Sequence, residues 1–296
     1  MNLAKNILQA MRNSGAYSLN SCRPQVIQVT HGEIEFCRFG QGKPLILIMG
    51  YAAALNGWNI HFLYELAKTR EVIVLNNRNI GASHFPNSNT YTMQDLANDV
   101  KELIKSLGFH QVALGGISMG GMIAQQFASL YPEQLSHLIL INTLPPGDLA
   151  IRPSASTINI LQNLNNGRAS SYWQILKLLF PSPWYLAYLP ITHFKPKGNK
   201  IFIPQATINS QQHAVEAWAA QEQAKNFLLN ITTPTLICCG EADEMVPAEN
   251  SKVIKQYLPN AQLRSYPNGG HIMIYQYPLQ LAWDINNFLN DSEPKP

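Results

Sequence analysis

Ser118 stands in Gly116-Ile117-Ser118-Met119-Gly120, with the β-favouring run Gln111-Val112-Ala113-Leu114 before it and the helically spaced Met122-Ile123-Ala124-Gln125-Gln126-Phe127-Ala128 after it. A strand entering a helix through one Ser, with Gly two positions before and two after, is a nucleophile elbow. So tight a turn leaves no room for a Cβ at either glycine, strains the backbone at the serine and pushes its hydroxyl off the sheet edge. A serine hydroxyl is a poor nucleophile at neutral pH and needs a base within hydrogen-bond reach, oriented by a third group. Of the eight histidines, His271 meets the first need, because it follows the Gly-rich turn Pro267-Asn268-Gly269-Gly270 just beyond a predicted strand. His31, His61, His84, His110, His137, His193 and His213 fall in a hairpin, a helix, a loop, strand beginnings and an inserted segment. Asp243, in Gly240-Glu241-Ala242-Asp243-Glu244-Met245-Val246-Pro247, meets the second, with Glu241, Glu244 and Asp148 as rivals. A carboxylate there could hold the imidazole and stabilise the imidazolium that forms. The chemistry of such a trio is acyl transfer through a covalent intermediate.

Three side chains so far apart in sequence need a scaffold that gathers strand ends. Gln25 to Thr30 and Ile34 to Phe39 alternate apolar with polar residues around the turn Thr30-His31-Gly32-Glu33, the pattern of a hairpin. Leu45-Ile46-Leu47-Ile48-Met49, Val72-Ile73-Val74-Leu75, Leu138-Ile139-Leu140-Ile141 and Leu236-Ile237-Cys238-Cys239 are continuous apolar runs, suited to strands buried on both faces. Helices are expected between them at 58–68, at 92–107 and after the elbow through Met122 to Leu130, and later at 247–258 and up to about residue 290, with Thr92 capping the second and Gly108 stopping it. Strand and helix in alternation give a mostly parallel sheet with right-handed crossovers, and ligands bind beyond its carboxyl edge.

After Asn142-Thr143 the rhythm breaks. Residues 144–226 are rich in Pro and aromatics and largely helical in pattern, and the stretch around Trp173, Leu176, Trp184 and Tyr185 leaves little polar face. A helix apolar nearly all round needs contact on more than one side. We therefore expect a cap over the strand ends, with those four residues lining a substrate pocket. The division is 1–23 as an accessory helix, 24–143 and 227–290 as the two parts of an α/β core, 144–226 as the cap and 291–296 as a polar tail.

The chain has 296 residues, 46% apolar and 13% charged, with a net charge of +3, too small to argue for nucleic acid or a membrane surface as the main partner. No apolar segment is long enough for stable membrane insertion. Cys22, Cys37, Cys238 and Cys239 show no metal-ligand spacing and no C-x-x-C motif, which points to reduced thiols and a cytoplasmic setting. No metal or cofactor motif is present.

The order Ser118, Asp243, His271, with Gly240 three residues before the acid and Gly270 directly before the histidine, resembles the α/β-hydrolase fold superfamily over roughly residues 24 to 290. The resemblance implies a capped, esterase- or lipase-like serine hydrolase. It also implies an oxyanion hole made by the backbone N–H groups of Met119 and Tyr51. The chain departs from the family in having Met49-Gly50 where His-Gly is usual, and Asn79 where the turn after the next strand would place Gly, which leaves Arg78 a structural role. A Ser nucleophile argues against dehalogenase or epoxide hydrolase chemistry, whose similar elbows carry Asp. The expected activity is hydrolysis of a carboxylic ester of a small to medium, largely apolar molecule. Amide, iminopeptide, lactone or C–C bond hydrolysis or acyl transfer on the same residues is the alternative, and a ligand-binding receptor is the non-enzymatic one.

Overall fold

The computed structural model describes residues 23–86, 90–163, 169–182, 184, 201 and 203–291. The apolar runs form strands β1 (Gln25–Val29), β2 (Gly32–Phe39), β3 (Lys43–Ile48), β4 (Arg70–Leu75), β5 (Val112–Ile117), β6 (Leu135–Ile141), β7 (Thr235–Gly240) and β8 (Ala261–Tyr266). Among the described residues the helices are α1 (Ile60–Ala67), α2 (Met93–Ser106), α3 (Met119–Leu130), α4 (Ala155–Asn163), α5 (Ala169–Leu179), α6 (Gln205–Ala219), α7 (Ala224–Leu229), α8 (Glu249–Tyr257) and α9 (Pro278–Asp291). The expected accessory helix at 1–23 lies almost wholly outside the described residues, as does most of the tail. The cap boundary expected after residue 226 falls inside α7.

All eight strands join one sheet in the order β1-β2-β4-β3-β5-β6-β7-β8. β1, β2 and β4 pair antiparallel and the remaining neighbours pair parallel. Because successive side chains of a strand point to opposite faces, Leu45 and Leu47 of β3 join one core layer while Ile46 and Ile48 join the other. The first layer is closed by Phe62, Leu63 and Leu66 of α1 and by Leu281, Ile285 and Leu289 of α9. The second is closed by Leu96, Val100 and Leu103 of α2 and by Ile123 and Phe127 of α3. Burial of these side chains supplies the main stabilisation, about 1.5–3 kcal/mol for each large one. Thr92 caps α2 as expected, and more fully: Asp95 returns the bond to the Thr92 N–H, forming a capping box.

The feature that matters for function is where the winding reverses. From β3 the chain crosses to β4 on one side, then returns past β3 to β5 on the other. The connections on either side of β3 therefore run apart, and a crevice opens at the carboxyl ends of β3 and β5. Those ends carry Gly50 and Ser118. Among the described residues no helix is long and apolar enough to cross a membrane. Cys37, Cys238 and Cys239 are buried free thiols.

Candidate active site

β5 is buried along its whole length and delivers Ser118 directly to the first residue of α3. The turn holds Ser118 at φ 55° and ψ −123°, a region that non-glycine residues seldom occupy, at a cost of about 1–3 kcal/mol that the surroundings must outweigh. They do so through backbone contacts that only glycines allow. A Cβ on Gly116 would lie 2.1 Å from the Gly120 carbonyl oxygen, and one on Gly120 would lie 2.2 Å from that of Ile48. The Ser118 N–H donates to Ile141 at the end of β6 (2.9 Å), and the Thr143 hydroxyl donates to the Ser118 carbonyl (2.7 Å). Ser118 itself is half-buried, and among the described residues its hydroxyl makes no hydrogen bond.

β7 and β8 bring the other two predicted residues together. His271 Nδ1 lies 2.8 Å from Asp243 Oδ2, with both side chains buried. The second carboxylate oxygen, Oδ1, accepts the N–H groups of Met245 (2.9 Å) and Val246 (2.8 Å), which fixes the plane of the carboxylate. The rivals are elsewhere: Glu241, Glu244 and Asp148 are all exposed. Of the other histidines, His137 is buried edge-on against Phe288, and His31, His84, His110 and His213 are exposed.

The loop after β3 faces the serine. A Cβ on Gly50 would lie 3.1 Å from Ser118 Cβ and 3.7 Å from its hydroxyl oxygen, so the Gly50–Tyr51 peptide runs past the nucleophile position at contact distance. Among the described residues neither the Tyr51 nor the Met119 N–H donates a hydrogen bond. Met49, where the family has His, gives its carbonyl to the Asn77 side chain (3.1 Å), and this bond helps to hold the loop. Among the described residues no group of three or more His, Cys, Asp or Glu side chains could hold a metal ion.

Residues 43–278 match the family model described as alpha/beta hydrolase fold. The chain belongs to the α/β-hydrolase fold family. It is 26% identical over 269 residues to a protein of Pseudomonas savastanoi pv. phaseolicola named as the carbamate hydrolase RutD, covering 87% of this chain and 98% of that one. It is 29% identical to Epoxide hydrolase 4 of Mus musculus, over 80% of this chain and 70% of that one. A thermophilic esterase from Thermogutta terrifontis superposes with a TM-score of 0.73 at 23% identity, over 92% of this chain and 100% of that one. At this distance the solved structure speaks for the fold.

One residue of the candidate site was not legible in the sequence. Asn142, the first residue beyond β6, is buried in a left-handed conformation (φ 43°). Its Oδ1 accepts the Gly240 N–H (2.8 Å), and its Nδ2 donates to the carbonyls of Gly270 (3.0 Å) and His271 (2.8 Å). One amide thus ties the end of the acid-bearing strand to the backbone that carries the imidazole. The only sequence signal was its position, a polar residue directly after the apolar run Leu138–Ile141. Gln276 adds to this by accepting the Gly270 N–H (2.7 Å) and donating to the Asn268 carbonyl (2.9 Å).

The expected pocket residues divide. Leu176 and Trp184 are buried, Tyr185 lies outside the described residues, and Trp173 is 38% exposed, on the same flank of α5 as exposed Lys177. Helical periodicity turns Leu176 and Phe180 inward and leaves Trp173 at the edge, so α5 is less uniformly apolar in its surroundings than in its sequence. Its end seats on the histidine loop: the Ile272 N–H donates to the Leu179 carbonyl (3.4 Å), and Phe180 meets Tyr275 edge-on. α6 seats on the opposite side. Thr207 donates to the Asn79 carbonyl (3.1 Å) and accepts from the Tyr91 hydroxyl through its own carbonyl (3.3 Å). One turn further on, Gln211 accepts the Ala52 N–H (2.8 Å). Arg78 is structural, as expected: it forms a bidentate pair with buried Asp99 (2.8 and 2.6 Å) and lies over the Phe85 ring at 4.5 Å. Burial outweighs Arg78 in setting the Asp99 carboxyl, which is pushed up to about 6.

Proposed function

We propose that the chain is a serine hydrolase that cleaves a carboxylic ester of a small to medium, largely apolar molecule through an acyl-enzyme. The observation that carries this reading is the buried His271–Asp243 pair, 2.8 Å apart, on the same sheet edge as a strained, half-buried Ser118. Asp243 accepts a hydrogen bond from Nδ1–H, which leaves Nε2 as the basic nitrogen. Ser118 Oγ adds to the ester carbonyl carbon while its proton passes to His271 Nε2. The carbonyl oxygen becomes an oxyanion, for which the unpaired Tyr51 and Met119 N–H groups are the donors, each worth on the order of 3 kcal/mol in the transition state. The tetrahedral intermediate collapses, the alkoxide takes the proton from His271 and leaves as the alcohol. Water then repeats the sequence on the acyl-enzyme and frees Ser118. In unliganded hydrolases the nucleophile–base hydrogen bond is commonly long and tightens on binding substrate, which accords with the unpaired Ser118 hydroxyl.

The relatives named as carbamate hydrolase and epoxide hydrolase support hydrolysis as the reaction class, and the Ser nucleophile favours the acyl branch over epoxide opening. A site for a substrate's free amine is not built from the cap acids, since Glu216 and Glu222 are both exposed. A fluorophosphonate probe together with a panel of p-nitrophenyl esters of increasing acyl length, and matched carbamates, amides and lactones, tests the reading. Labelling confined to Ser118, absent in Ser118→Ala, with turnover highest on medium acyl esters is expected. A folded protein that neither takes the probe nor turns over any ester overturns the proposal, and faster turnover of carbamates or amides than of esters moves it to C–N cleavage.

A further inference from the structure

Gln211 is fully buried on α6, and its amide has two ends with different fates. Oε1 accepts the Ala52 N–H at 2.8 Å. A backbone N–H can only donate, so the orientation of this amide is fixed: oxygen toward Ala52, nitrogen away from it. Nε2 is then left buried with two N–H donors and no hydrogen-bond partner among the described residues. Natural proteins seldom leave such a donor unmatched, because removing it from water without a partner is costly, and the exceptions call for an explanation.

The position supplies one. Ala52 is the residue after Tyr51 and is itself held in the left-handed region at φ 50°, where an alanine stays only if its surroundings hold it. A Cβ on Gly50, two residues back, would lie 3.1 Å from Ser118 Cβ. The amide that carries the unmatched nitrogen is therefore bonded to the same short loop that runs past the nucleophile, and it is brought there by a helix anchored one turn earlier through Thr207. A hydrophobic residue of the same size at 211 would fill the space equally well and leave no unpaired donor. A Gln there gives the loop its acceptor and leaves a donor over.

We propose that Gln211 is a substrate-binding residue whose Nε2 donates to a second acceptor oxygen of the substrate, close to the scissile carbonyl. This rests on the ester hydrolase reading above and deepens it: the substrate class becomes esters with a keto, alkoxy or hydroxyl oxygen near the reacting carbon, in place of plain alkanoates. The bond forms without covalent change, and it orients the substrate across the Tyr51 loop.

The test compares isosteric substrates that differ by one oxygen: p-nitrophenyl methoxyacetate against p-nitrophenyl butyrate for the acyl side, and 2-methoxyethyl butyrate against n-butyl butyrate for the alcohol side. Intrinsic reactivity cancels when the ratio of kcat/KM within each pair is compared between wild type and variant. Gln211→Met removes both ends of the amide. Gln211→Glu keeps an acceptor for Ala52 and removes the donor once its carboxyl is ionised; because burial raises a carboxyl, the ratio is read at several pH values up to about 9. Both variants are expected to lower the oxygen-over-carbon ratio about tenfold in one of the two pairs, as loss of one hydrogen bond in a dry site should. Gln211→Met should also slow the plain esters, through the released Ala52 N–H. An unchanged ratio in both pairs for either folded variant overturns the assignment. If wild type is labelled by fluorophosphonate and turns over butyrate, such a result sinks the Gln211 proposal alone. Absence of both labelling and turnover sinks it together with the hydrolase reading.

Discussion

On the side of the crevice that carries His271, polar atoms are matched one against another: Asp243 takes three hydrogen bonds, the Asn142 side chain makes three more, and Gln276 closes the loop between them. Across Ser118 the pattern inverts, because the N–H groups of Tyr51 and Met119 and the amide nitrogen of Gln211 have no partners among the described residues. The difference follows from when each side is needed in the proposed reaction. A base has to be aimed before the substrate arrives, and any unmatched atom around it would let the ring turn. An oxyanion donor contributes only if nothing satisfies it until charge develops, so its bonds are withheld until then.

The sharpest break in that comparison is removal of the atom both sides serve. Ser118→Ala is expected to lower kcat by about 10⁴- to 10⁶-fold while the unfolding midpoint stays near that of wild type, since alanine keeps the Cβ and the turn. A residual rate within tenfold of wild type would show that neither side is aimed at this serine. Asp243→Asn strikes the matched side alone. The amide should hold the imidazole in the wrong tautomer, with a loss of about 10⁴-fold in kcat at nearly constant KM and slow fluorophosphonate labelling. An equal fall in kcat and rise in KM would mean that Asp243 shapes the pocket and does not orient the base.

Asn142→Asp is a finer cut. The carboxylate still accepts from Gly240 and tolerates the left-handed backbone, but it cannot donate, and it faces two carbonyl oxygens. We expect kcat to fall by about 10- to 100-fold with KM unchanged, and stability to fall by about 1–3 kcal/mol. The pH profile of kcat should shift as well if Asn142 acts through the imidazole, whereas a purely structural role moves the melting temperature alone.

The matched side was half legible in the sequence and the open side hardly at all, for a reason of distance along the chain. Ser118, Asp243 and His271 each follow a predicted strand, and parallel strands with right-handed crossovers bring all their carboxyl ends to one edge, so position in the element order was enough to find them. Glycine punctuation did the rest, since Gly116, Gly120 and Gly270 mark backbone that must turn or approach closely. Asn142 and Gln211 have no such marks. Their partners lie 98 and 159 residues away, and an Asn after a strand or a Gln inside a helix is ordinary until those partners are in place. Helices α4, α5 and α6 lie where the sequence pattern was largely helical, but periodicity smeared over aromatic residues could not separate buried Leu176 and Trp184 from exposed Trp173.

The smallest effect tests what the open side rests on. Asn77 holds the Met49 carbonyl, Asn79 receives Thr207, and between them Arg78 reaches down to Asp99, so the loop facing Ser118 sits on a buried ion pair. Burial raises the Asp99 carboxyl from an ordinary value of 3.8 to about 6 despite Arg78. A carboxyl with a raised folded-state value binds more protons folded than unfolded between those limits, so its contribution to stability is full below about pH 4 and is lost as pH rises through about 6. The expected slope is on the order of 1 kcal/mol per pH unit across that window, flattening above it. Other carboxylates titrate in the same range, so the quantity to measure is the difference in urea unfolding free energy between wild type and Asp99→Asn at several pH values. That difference should fall from about pH 4 to about pH 6 and then level off. A difference that rises over the same range would mean that Arg78 outweighs burial and that the open side stands on a stabilising salt bridge.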